Sequence, residues 1–91
     1  MTPKFQLCQI AATPAALEVL RESGQDGSEF IDRHVRGDYG HMPPEDVTAN
    51  EEAVRDGARV MSAYTTLSGK RLWVITEADR SVTTLLLPED Y

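Results

Sequence analysis

The stretch Trp73–Tyr91, WVITEADRSVTTLLLPEDY, decides how this chain is read. Two runs of strand-forming residues, Leu72–Thr76 and Val82–Leu87, flank the polar segment Glu77-Ala78-Asp79-Arg80-Ser81. Such runs on either side of a short turn-forming segment predict a tight antiparallel hairpin. Its tip carries an acid and a base. Loops held by rigid strands are where small domains concentrate their working groups, so Asp79 and Arg80 are the first site candidates.

Working back from this hairpin, Arg59–Thr66 and Arg71–Glu77 read as two more strands, joined at Ser68-Gly69, with Val82–Leu87 as the last. At the other end, Lys4–Ala12 (KFQLCQIAA) reads as a first strand anchored by Phe5, Leu7 and Ile10. Three helices lie between. Thr13-Pro14 starts one, because Thr caps free amides and Pro fits a first turn that needs no N–H, and Gly24 stops it. Asp26 and Glu29 have capping-box spacing for a second, with Phe30, Ile31, His34 and Val35 on one stripe and Gly37 as its end. Pro44–Gly57 is a third, mostly polar, with Asn50 on its thin seam of Val47 and Val54. The order β-α-α-α-β-β-β predicts one α+β domain over residues 1–91. Its sheet would be antiparallel, an N-terminal strand plus a C-terminal three-stranded meander, with the helices on one face.

Simple two-residue turns would set Ala63, Val74 and Leu85 abreast, and likewise Tyr64, Trp73 and Leu86. Side chains alternate along a strand, so two faces separate. Met61, Ala63, Leu72, Val74, Leu85 and Leu87, with Thr76 and Thr83, form the expected core face. Val60, Ser62, Tyr64, Trp73, Ile75, Glu77, Val82, Thr84 and Leu86 form the other. Neighbouring Tyr and Trp combine apolar bodies with polar handles, as binding surfaces do. The expected binding surface is therefore Tyr64, Trp73, Ser62 and Thr84 with the Asp79-Arg80 tip.

The totals fit a soluble domain, with 41% hydrophobic and 26% charged residues in a chain of 91. A net charge of −6 argues against broad nucleic-acid binding, which relies on Lys and Arg at phosphates. A lone cysteine, Cys8, excludes an internal disulfide, and its apolar setting predicts a small buried hydrophobe. No signal peptide or membrane span is legible, so cytoplasm is the expected location.

Bland readings compete with each chemical candidate. Asp at a hairpin tip commonly bonds backbone amides, and a histidine on an apolar stripe, like His34, is commonly held by a hydrogen bond. His34, Asp38 and His41 lack any standard metal spacing, so no metal or cofactor is expected. Glu45, Glu52 and Asp56 read as a solvated helix face. No Ser-His-Asp or Cys-His order, phosphate-binding loop or dinucleotide fingerprint occurs.

Along nearly its whole length the chain resembles a family of small bacterial proteins carried on plasmids, integrative elements and prophages. The matching stretches are FQLCQIAATPAAL, FIDRHVRGDYG, RVMSAY and LWVITEADRSVTTLLLPEDY. Relatives are sometimes labelled modification subunits of type I restriction enzymes, but this chain has neither the Gly-rich cofactor loop nor the Asn/Asp-Pro-Pro-aromatic motif of a methyltransferase. The resemblance implies a protein of a mobile element. The acidic charge, with no complete acid/base pair, makes the expected function that of a non-catalytic accessory or anti-defence protein binding a protein partner, one of nucleic-acid-processing or defence machinery.

The C-terminal third, Arg59 to Leu86, is also similar to the last strands of barnase-type ribonucleases. That likeness implies an alternative, a metal-independent RNA-cleaving enzyme of toxin type. Arg59 would steady the phosphate, Arg80 would stand where the general acid belongs, and Glu77 or His34 would complete the set. Two departures count against it. A helix, not the strand bearing the catalytic Glu, precedes Arg59, and an arginine at position 80 cannot donate a proton as histidine does.

Overall fold

The computed structural model describes residues 3–91. The chain runs β1 (Gln9–Ala12), α1 (Pro14–Ser23), α2 (Gly27–Val35), α3 (Pro44–Asp56), β2 (Val60–Thr65), β3 (Arg71–Thr76) and β4 (Val82–Leu86), ending in a 3-10 turn, Pro88–Asp90. The helix starts follow the sequence. Thr13 accepts from the Ala16 amide, Asp26 accepts from the Ser28 amide, and Pro44 opens α3.

The sheet is mixed, in the order β1-β4-β3-β2, and this corrects the expected all-antiparallel arrangement. β2 pairs antiparallel with β3 and β3 with β4, but β1 lies parallel to β4. Strand polarity follows from the connections. The helical crossover brings the chain back along β2 in the direction of β1 at the opposite edge. Two hairpin reversals then leave β4 running with β1. The first strand is also shorter than Lys4–Ala12, and Cys8 is exposed rather than buried.

The second hairpin has the expected register, with Val74 opposite Leu85 and Trp73 opposite Leu86. The first does not. Thr66 and Lys70 close a three-residue loop, Leu67-Ser68-Gly69, in which the Thr66 amide donates to the Lys70 carbonyl at 2.9 Å and Gly69 takes φ +85°. A type I turn followed by a left-handed glycine is a favoured three-residue hairpin, and its odd length shifts β2 by one place. Tyr64 therefore faces Leu72, and Ala63 faces Trp73. Val60, Ser62 and Tyr64 turn toward the helices, whereas Met61 and Ala63 lie on the outer face, the reverse of the sequence expectation for this strand.

Ala16 and Leu20 of α1 and Phe30 and Ile31 of α2 pack on Tyr64, Leu72, Val74 and Leu85 to form the main core. A second cluster joins Tyr39, Ala53 and Val60, with Phe5, Met42, Val47 and Val54 against it. α3 thus lies along the β2 edge, touching the inner face through Ala53 and flanking the outer one through Ala49 and Asn50.

Candidate functional site

The polar tip of the second hairpin is folded inward. Asp79 Oδ1 accepts from the Ser81 amide at 3.0 Å, which closes an Asx turn and holds the carboxyl below its usual range. Arg80 takes φ +64° and turns its guanidinium onto the end of α3. Its Nη1 donates to the Ala58 carbonyl at 2.6 Å and its Nη2 to the Ala53 carbonyl at 2.9 Å. A cation placed on the last carbonyls of a helix satisfies orphan acceptors and complements the dipole. The guanidinium also lies over the Phe5 ring, 5.3 Å from its centroid.

His34 is 0% exposed and sits beneath the sheet, away from the solvent-facing Arg59. Its Nδ1 is 2.6 Å from Ser62 Oγ and its Nε2 is 2.9 Å from Thr76 Oγ1, which in turn lies 2.7 Å from Thr83 Oγ1. The rings of Phe5 and Tyr39 meet it edge-on. Burial, and secondarily the positive Arg80, lowers its pKa from 6.5 to about 4. A neutral imidazole offers one donor and one acceptor, which this hydroxyl pair accommodates.

Tyr64 and Ser62, expected on the binding surface, are buried on the inner side by the shift of β2. The Tyr64 hydroxyl donates to the Asp38 carbonyl at 2.6 Å, and its ring carries the Arg33 guanidinium at 4.5 Å. Arg33 is itself bridged to Asp38, 2.8 Å from Oδ2. Nor do His34, Asp38 and His41 assemble a site. Among the described residues no group of three or more His, Cys, Asp or Glu is placed to hold a metal.

Trp73 and Thr84 remain on the outer face, half-buried. Trp73 meets Tyr91 edge-on, with centroids 5.7 Å apart, and Arg59 Nη1 donates to the Tyr91 hydroxyl at 2.5 Å. That bond to Tyr91 first, and Glu77 at the same end of the sheet after it, hold the Arg59 guanidinium charged. Beside Trp73 opens a cavity of about 380 Å³, lined by Met42, Asp46, Ala49, Asn50, Met61, Ala63 and Trp73. Aromatic, thioether and carboxylate groups thus share one concave, solvent-open patch.

Asn50 is the residue whose role the sequence hid. Its Nδ2 donates to the Met61 carbonyl at 2.7 Å, and its Oδ1 accepts from the Met61 amide at 3.2 Å. The side-chain amide thereby replaces a neighbouring strand along β2. Segment 39–41 does the same one step on, where the Ala63 amide donates to the Tyr39 carbonyl and its carbonyl accepts from the His41 amide. A lone Asn on an apolar helix seam was the available signal.

No family model, curated protein or solved structure matches this chain. Among the described residues, no helix is long and apolar enough to cross a membrane.

Proposed function

We propose that this is a small non-catalytic accessory protein that binds a protein partner through the outer sheet face around Trp73. The observation that carries the reading is the patch itself. A half-buried Trp borders a cavity holding two methionines and the exposed carboxylate of Asp46. Aromatic and Met side chains with a polar rim are what protein-recognition surfaces present. Thr84 and the Arg59–Tyr91 pair extend it on the same face. The full-length resemblance supports a cytoplasmic role on a mobile element, with a partner in nucleic-acid processing or defence machinery.

The engagement of the other catalytic candidates also supports binding. Arg80 is committed to the carbonyls of α3 and His34 to two hydroxyls in the core, so neither is poised for an incoming phosphate. One observation favours the ribonuclease reading instead: Arg59, Glu77 and Tyr91 cluster at one solvent-facing end of the sheet. Incubating the purified protein with mixed-sequence RNA, without added metal, separates the two. Attack by the 2′-hydroxyl needs only proton transfer and charge stabilisation from the protein. No cleavage above background is expected. Cleavage that disappears in folded Arg59→Ala overturns the non-catalytic reading.

A further inference from the structure

The two edges of the sheet are treated differently. On β2, the outward groups of Met61 and Ala63 are all served, by Asn50 and by segment 39–41. On β1, the Gln9 amide donates to the Ser81 carbonyl and the Thr13 amide to the Leu85 carbonyl, so the odd-numbered residues face β4. The N–H and C=O groups of Ile10 and Ala12 therefore point away from the sheet. Among the described residues nothing bonds to them.

Edge strands are ordinarily guarded by Lys, by inward charges or by a cover. β1 has none of these. From Phe5 to Leu17 there is no charged residue, in a chain that is 26% charged. Register with Thr83 and Leu85 puts the side chains of Ile10 and Ala12 on the helix-facing side. There they border a mostly apolar groove of about 400 Å³ with Leu17, Leu20, Ile31 and Leu85, which Asp26 and Ser28 also line. Ile10 is 49% and Leu17 56% exposed, so the rim of this groove is apolar and wet.

We propose that β1 is the seam of a twofold homodimer, in which the strand pairs antiparallel with the same strand of a second copy about Ile10. An antiparallel edge is complementary to itself, because each outward N–H meets an outward C=O under a twofold rotation. Charge permits a second copy as the occupant: each chain carries −6, yet the strip from Phe5 to Leu17 is uncharged, so no carboxylate of one strand faces a carboxylate of the other across the seam. Ile10 of each copy would close over the groove beside Leu17 of the other, joining two four-stranded sheets into one. The outer face around Trp73 stays free, so this proposal stands or falls independently of the binding role.

Sedimentation equilibrium of the full chain, from low micromolar to millimolar concentration, reads the result. A monomer–dimer equilibrium is expected, and Ile10→Lys should weaken it roughly 100-fold while leaving the circular dichroism unchanged. With the axis at Ile10, Cys8 of one copy stands opposite position 12 of the other. Ala12→Cys, with Cys8 retained, should therefore form an intermolecular disulfide on mild oxidation, and Ala12→Cys with Cys8→Ser should not. A wild type that stays monomeric at every concentration overturns the proposal. So does a dimer indifferent to Ile10→Lys.

Discussion

Val74→Asp is expected to leave the domain unfolded. Val74 is 0% exposed at the centre of the inner face, flanked by Ser62 and Leu85 and covered by α1 and α2. A carboxylate there has no cation to pair with, and an unpaired buried charge costs several kcal/mol against a total stability of about 5–15 kcal/mol. Thr84→Asp, on the opposite face of the adjoining strand, changes a half-exposed residue and is expected to cost only about 1 kcal/mol in strand preference. Chemical denaturation of both variants checks the pair. A cooperative transition at the wild-type midpoint for Val74→Asp would mean that the faces are reversed.

The second large effect is acid destabilisation centred on His34. Its pKa in the fold, about 4, lies below its ordinary 6.5, so the folded state holds the neutral ring and the unfolded chain takes up the extra proton. The stabilisation is therefore complete above pH 6.5 and is lost as the pH falls from 6.5 toward 4. The depression corresponds to about 3 kcal/mol across that window. Asp26, Asp38, Asp79 and Asp90 are held below the usual carboxylate range by their hydrogen bonds, and they add their losses only at still lower pH. Urea melts at stepped pH should show the midpoint falling between 6.5 and 4 in the wild type. His34→Gln, which retains hydrogen bonds but does not titrate, should be less stable at neutral pH and nearly flat over the same range. An equal pH slope in both proteins would place the titrating group elsewhere.

Much of the architecture was legible because its signals are local. Thr13-Pro14, Asp26 and Pro44 mark helix starts by chemistry that acts within one turn, and Asp79-Arg80 marks a hairpin whose register follows directly. What failed was non-local or turned on one residue. Gly69 in a left-handed conformation lengthened the first loop by a residue, and that alone exchanged Tyr64 and Ser62 with Met61 and Ala63 between the faces. The parallel placement of β1 is set by the helical crossover, not by anything in KFQLCQIAA, and the strand begins only at Gln9, just past the exposed Cys8. Arg80 bonds a carbonyl 27 positions away in sequence, so a residue that reads as a site candidate at a hairpin tip closes a helix instead. The buried Tyr39, whose hydroxyl has no partner among the described residues, was hidden inside a segment that reads only as turn formers.

Recognition is expected to belong to the outer face at Trp73 rather than to the hairpin tip or the core tyrosine. Affinity capture from a lysate of the source organism, with immobilised wild type beside Trp73→Ala and Arg80→Lys, is the decisive test. Trp73 is half-buried on the outer face, so its truncation should leave the near-ultraviolet dichroism of the buried Tyr64 and Tyr39 in place and the fold cooperative. Arg80→Lys retains a cation at the end of α3. A partner held stoichiometrically by the wild type and by Arg80→Lys, and lost from folded Trp73→Ala, is the expected result. Undiminished capture of the same partner by folded Trp73→Ala would contradict it.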